Sequence, residues 1–238
     1  MGQTSSGGSS RTLVLPGDPV GEDVEARAPY IYVDDRGVKR AAVPGFVDDR
    51  GGKKVFVPLE SIYIPKPGDI VIGMVHSVGV TNWFVDINSP YMAVLNLQDF
   101  LGRPFNPATD EPGRYLSAGD DIKAKVLAFD RTRNPLLTVQ GEGLGKIVEG
   151  KIVEIAPARI PRVIGRKGSM LEVLSSETGC EIFAAVNGRV HVKCPNPEVE
   201  AIVILAIKTI EREAFTSGLT ARIRKLIEEE KVVRGVGK

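Results

Sequence analysis

Residues 160–171 read IPRVIGRKGSML. Gly165 and Gly168 bracket two positive charges, Arg166 and Lys167, and apolar residues flank them on both sides. Glycine adopts backbone angles closed to other residues and lets a ligand come close to the main chain. Upstream, RIPRVI (159–164) has the pattern of a short helix that stops at the first glycine. Downstream, SMLEVLSSETG (169–179) puts Met170, Leu171 and Leu174 on one helical face, with Ser169 as N-cap and Gly179 as C-cap. The glycine turn therefore joins two helices. Between Glu154 and Glu172 the chain carries Arg159, Arg162, Arg166 and Lys167 and no acid, a local basic stripe.

Before this segment, KIVEGKIVEIAP (146–157) reads as a strand. After it, CEIFAAVNGRVHVKC (180–194) is a hairpin around Asn187-Gly188, a strong short-range hairpin signal. Asn196 then caps a long helix with Pro197 at its first position. Its apolar stripe is Val199, Ile202, Val203, Ala206, Ile210 and Ala214. The order over residues 143–217 is strand, helix, helix, strand, strand, helix. Residues 218–238 add a charged helix and tail, expected to be exposed.

Residues 65–142 change character. GDIVIGMVHSV (68–78), TNWFVDI (81–87), MAVLNL (92–97), DDIKAKVLAFD (120–130) and LLTVQGE (136–142) are five β-rich segments without a long helix, the pattern of a small closed barrel. In the fourth, Ile122, Ala124, Val126 and Ala128 share one face, and Lys123, Lys125 and Leu127 the other. Trp83 and Phe84 are adjacent, so their rings point to opposite faces. GEGLGKI (141–147) lacks the glycine and the Ser/Thr of a phosphate loop, and is read as a flexible joint.

Residues 11–64 break into short strands at recurring Pro-Gly, Asp-Arg-Gly and Gly-Gly signals, which predicts a small all-β module. The pairs Asp34-Asp35 and Asp48-Asp49 precede Arg-Gly and are read as turn residues, not metal ligands. MGQTSSGGSS (1–10) is read as a disordered tail; it also fits the loose pattern for N-terminal acylation. The fold class is thus multidomain and mostly β, with an α+β domain towards the C-terminus.

A net charge of +1 excludes a globally basic nucleic-acid binder, so any such binding must use local stripes. No apolar run has the length of a membrane span, and the N-terminus lacks a signal-peptide core. Cys180 and Cys194 are too few for a disulfide framework or a zinc site and read as core thiols of a reducing compartment. The two histidines are His76, an outward strand residue without a role, and His191. No Ser-His-Asp set or metal-ligand cluster is apparent, so neither cofactor nor metal is expected, and the chain is read as non-catalytic.

The strand-first element order around Val163-Ile164-Gly165-Arg166-Lys167-Gly168-Ser169 resembles a KH domain. In that family the loop clamps the sugar-phosphate backbone of four nucleotides and an apolar groove beside it receives the bases. The resemblance implies phosphate contacts by Arg159, Arg162, Arg166, Lys167 and Ser169, with Gly165 and Gly168 permitting the approach. The barrel resembles the RNA-binding OB fold of the ribosomal-protein-S-one type through Gly68-Asp69, Gly73-Met74-Val75, Trp83-Phe84-Val85-Asp86-Ile87, Gly119-Asp120 and Leu137-Thr138-Val139. Trp83 by stacking, and Lys123, Lys125 and Arg131 by charge, would then line a single-stranded RNA path. Thr81-Asn82-Trp83 stands where that fold carries a glycine-flanked aromatic.

A small β domain, this barrel and one strand-first KH domain, in that order, resemble the KH-containing cap subunits of the RNA exosome, of the archaeal type. Residues 57–95, VPLESIYIPKPGDIVIGMVHSVGVTNWFVDINSPYMAVL, carry the most specific part of the likeness. It implies a cytoplasmic, non-catalytic subunit. Its N-terminal domain would dock on a hexameric ring of phosphorolytic exoribonucleases beside other cap subunits, and its other domains would pass single-stranded RNA into the ring. A free-standing RNA chaperone or translation factor is the alternative use of the two modules. A nuclease built on the aspartate pairs would instead require metal-dependent turnover.

Overall fold

The computed structural model describes residues 11–24, 30–49, 54–59, 61–106, 109–214, 216 and 218–236. The tail and acylation readings at 1–10 lie outside them. The chain divides into two compact units, Met1–Ser61 and Ile62–Lys238.

The first unit holds β1 (Arg11–Val14), β2 (Ile31–Val33), β3 (Lys39–Ala41), β4 (Gly45–Asp49) and β5 (Lys54–Pro58). β1, β4 and β5 form an antiparallel sheet, and β2 pairs with β3. Val14, Val20, Val24, Ile31, Ala41 and Phe56 make its core. Asp34 is a turn residue, as read. Its carboxylate accepts from the Arg36 and Val38 amides at 3.0 and 2.8 Å and pairs with Arg40 at 2.6 Å. Asp48-Asp49 is not a turn: both residues belong to β4, and Asp48 is buried opposite Arg11 and Val55. The ladder on both sides of β4 holds them extended and overrides the local turn preference.

The second unit begins with β6 (Ile70–Val78), β7 (Asn82–Asp86), β8 (Ala93–Asn96), the short helix α1 (Leu97–Leu101), β9 (Asp121–Ala128), β10 (Leu136–Thr138) and β11 (Gly145–Lys146). β10 runs parallel to β8 and antiparallel to β9, which closes five strands into an OB-like barrel. Val71, Val75, Val85, Leu95, Ile122, Val126 and Leu137 fill it. Residues 141–147 are not a free joint. Gly145 and Lys146 pair with Lys123 and Ile122 of β9, and Lys146 Nζ lies 2.6 Å from Asp120 Oδ2. The backbone hydrogen bonds that β9 offers at its start hold the segment.

Then follow β12 (Lys151–Glu154), α2 (Ile160–Ile164), α3 (Ser169–Thr178), β13 (Glu181–Ala184), β14 (Arg189–Lys193), α4 (Pro197–Arg212) and α5 (Leu219–Val233). The sheet order is β12-β14-β13, antiparallel throughout, with the helices over one core. The Asn196 side chain accepts from the Val199 amide at 2.8 Å, so the expected cap of α4 is made. α5 is not a free charged helix. Leu219, Ile223 and Ile227 recur at helical spacing and are buried in the same core, while its charges stay outside.

The two cysteines are not free thiols. Cys180 and Cys194 form a disulfide with Cα atoms 4.3 Å apart. Glu181 pairs with Lys193 at the last register position of the β13–β14 hairpin, so the next residue out on each strand meets its partner. Separation in sequence hides this proximity.

Candidate nucleic-acid interface

The glycine turn lies between α2 and α3. Gly165 has φ 77° and ψ 174°, a region essentially reserved for glycine. A Cβ there would lie 2.6 Å from the Met170 amide nitrogen. Lys167 is itself left-handed at φ 55°, and Gly168 follows at φ 84°. The turn thus exposes both Arg166 and Lys167, and among the described residues no acidic side chain pairs with either. Ser169 is not the N-cap: it is the first helical residue, exposed, and Gly168 is the cap. A glycine cap leaves the first amides of α3 without a side-chain acceptor, which suits an approaching anion. Arg162 is exposed on α2, and Arg159 is half-buried in the 3-10 turn Pro157–Arg159 before it. Beside the turn, Ile164, Leu171, Ile182 and Ala184 are only partly buried against the core. The structure therefore gathers Arg159, Arg162 and Gly165–Ser169 on one helix–turn–helix segment next to apolar surface.

The barrel residues are distributed differently. Trp83 does not face RNA. It is fully buried, its Nε1 donates to the Leu116 carbonyl at 3.1 Å, and its ring meets Phe100 edge-on at 5.2 Å. Strand alternation sends the neighbouring Phe84 outward instead, half-exposed between Ser77 and Val94. Lys123 is also withdrawn from the expected path. Its Nζ sits 3.5 Å from the centroid of the Phe183 ring, and burial lowers its pKa. Lys125 is exposed on β9, and Arg131 is exposed in the β9–β10 turn at φ 66°.

What joins the two surfaces was not legible in sequence. Asn187, at the tip of the β13–β14 hairpin, is fully buried against the barrel. Its Nδ2 donates to the Ile72 and Ile87 carbonyls at 2.8 Å each, and its Oδ1 accepts from the Ile72 amide at 3.3 Å. Arg189 is next to it. Nη1 donates to the Asp86 carbonyl at 2.6 Å, Nη2 pairs with Asp86 Oδ2 at 2.6 Å, and Nε with Glu154 Oε1 at 2.8 Å. Asn-Gly marked the hairpin correctly, but the same two letters describe a solvated turn and a buried plug.

Comparison with known proteins agrees with this architecture. Residues 62–102 match the family model "RRP4, S1 domain", and residues 150–198 match "KH domain". Exosome complex component Rrp4 of Aeropyrum pernix is 62% identical over 226 residues, covering 94% of this chain and 96% of that protein. The chain belongs to the Rrp4 family. Exosome complex component Rrp4 of Ignisphaera aggregans is 49% identical over 96% of this chain and 94% of its own length. A crystal structure assigned to exosome complex RNA-binding proteins superimposes with a TM-score of 0.71 at 66% identity, covering 73% of this chain and 99% of that one. Among the described residues of this Rrp4-family chain, no group of three or more His, Cys, Asp or Glu could hold a metal ion, and no helix is long and apolar enough to cross a membrane.

Proposed function

We propose that the chain is a non-catalytic, RNA-binding cap subunit of an exosome. It would recruit single-stranded RNA and pass it to a hexameric ring of phosphorolytic exoribonucleases, beside other cap subunits, in the cytoplasm. The observation that carries the reading is the Gly165–Gly168 turn, whose backbone strain serves to present Arg166, Lys167 and the open N-terminus of α3 together. Phosphates sit at this turn, with Ser169, Arg162 and Arg159 extending the positive path, and bases lie over Ile164, Leu171 and Ile182. Lys125 and Arg131 continue the path on the barrel. The first unit, with Leu13, Leu15, Tyr32 and Val33 about half exposed, offers an apolar surface for docking on the ring. The names of the relatives, each an exosome component, support the assembly.

Size-exclusion chromatography with light scattering, on the chain mixed with phosphorolytic ring subunits of its own organism, tests the assembly. Co-migration as one large complex is expected. Separate elution at low salt would leave the free-standing RNA-binding factor as the better reading.

A further inference from the structure

An open groove of about 780 Å³ lies on the barrel where β8, α1 and β10 meet. Leu127, Leu136 and Phe105 form apolar parts of its lining, and Asn96, Gln98 and Gln140 bring three side-chain amides to it. Of the two charged groups in the lining, Arg103 and Asp99, only the first is neutralised. Arg103 is spent in a two-point pair with Asp110, at 2.7 Å on both oxygens, and Asp99 Oδ2 accepts from the Val139 amide at 3.1 Å. The capacity left over is that of the neutral amides and of the Asp99 carboxylate, which has no ion pair among the described residues. Asn96 occupies the N-cap position of α1, where asparagine ordinarily bonds back to the helix, yet makes no capping bond. The Asn96 and Gln98 side chains are exposed and bond to no other described group, whereas Gln140 Nε2 is held by the Asp99 carbonyl at 2.5 Å with Oε1 left to accept.

Apolar surface edged by unspent amides and a single carboxylate suits a flat, uncharged, hydrogen-bonding heterocycle and not a phosphate, which that negative charge repels. A phosphate has its own place next to it. Leu127 and Leu136 stand on either side of the β9–β10 turn, which exposes Arg131 and Arg133, neither in an ion pair among the described residues. Asp130 Oδ1 fixes this turn by accepting from the Thr132 amide and hydroxyl at 3.0 and 2.8 Å.

We propose that this groove is a nucleobase subsite: one base of the RNA strand lies on Leu127 and Leu136, its edge is read by Asn96 and Gln98, and its phosphate is held by Arg131 and Arg133. The inference rests on the reading that the chain binds single-stranded RNA, but it uses none of the glycine-turn residues. Amide pairing to a base edge discriminates between bases, whereas phosphate contacts govern salt dependence.

The test is fluorescence anisotropy of the full chain with labelled homopolymers of A, C and U of equal length. It compares the unaltered protein, the double variant Asn96→Ala/Gln98→Ala, and Lys167→Gly. The unaltered chain is expected to rank the homopolymers. The double variant compresses that ranking by about tenfold, the scale of one bidentate base contact, with an unchanged salt slope. Lys167→Gly should do the reverse, lowering the salt slope and keeping the ranking. A ranking that survives in the double variant, or no ranking in the unaltered chain, overturns the subsite and leaves the glycine-turn reading standing. A compressed ranking with Lys167→Gly silent would sink the glycine-turn reading and keep the subsite. Photocrosslinking of a 4-thiouridine strand to the unaltered chain gives a second readout, free of any folding defect. Adducts within 96–103 or 127–140 are expected, and adducts confined to 159–171 count against the groove.

Discussion

Gly165 and Lys167 both have positive φ, but substitution at the two positions acts on different quantities. An added Cβ at Gly165 meets the Met170 backbone, which cannot yield without moving α3. Gly165→Ala is therefore expected to cost about 2–3 kcal/mol, combining the forbidden backbone region with the clash. Chemical denaturation measures it, and a midpoint within error of the parent would show that the turn relaxes. At Lys167 the strain is relieved by glycine, which offsets the entropy that glycine loses on folding, so Lys167→Gly should change stability by less than about 1 kcal/mol. Its effect falls on RNA. One lost phosphate contact on a single strand lowers the slope of log affinity against log salt by about 0.7. Unchanged affinity and slope would reduce the turn to a bend between helices.

At the scale of elements, the β13–β14 hairpin is held at both ends, by the Cys180–Cys194 bond at its base and by Asn187 in the barrel at its tip. Closing a loop of this size stabilises by about 3 kcal/mol. Unfolding monitored with and without reductant should differ by that amount, and Cys180→Ser/Cys194→Ser should abolish the difference; equal midpoints would mean the bond contributes nothing. The loop after α1 has its own anchor. Asp110 has a side chain only 2% exposed, and its bonds with Arg103 and the Asn106 amide lower its pKa from 3.8 to about 2. A lowered folded pKa means this stability is complete above pH 3.8 and disappears as pH falls through about 2. Asp110→Asn should flatten that part of the acid limb in urea titrations. The elements themselves were legible because each is written locally: the alternation of β9, the Asn196-Pro197 start of α4, and glycines around a basic pair between two short helices. Pairing of Gly145-Lys146 with β9, burial of Trp83 in place of Phe84, and the meeting of two distant cysteines depend on which neighbours arrive. No local window contains that information.

At the scale of the Ile62–Lys238 unit, Asn187 and Arg189 determine whether the two proposed RNA surfaces act as one. Their bonds to Ile72, Ile87 and Asp86 fix the hairpin against the barrel, and Lys123 over Phe183 adds a third point. Two sites on one strand bind more tightly than either alone only when the geometry lets both engage; the second contact is then intramolecular, at a high effective concentration. A loose junction spreads the second site over many positions and lowers that concentration. Asn187→Ala removes the bonds to the Ile87 carbonyl and the Ile72 amide, a desolvation cost of about 1–3 kcal/mol for each group, while the Ile72 carbonyl keeps Arg189 Nη1 at 3.4 Å; it so loosens the junction while touching no side chain proposed to face RNA. Its signature should be length dependence. Binding of a tetranucleotide, which fills only the glycine turn, should stay within about twofold of the parent. Binding of a strand long enough to reach the barrel as well should weaken by about tenfold or more, a partial loss of the roughly hundredfold or greater gain that such avidity gives. Anisotropy at fixed salt across a series of strand lengths separates the outcomes. An equal loss at all lengths would mean the substitution damages the KH domain itself, and no loss at any length would mean that only one of the two surfaces holds RNA.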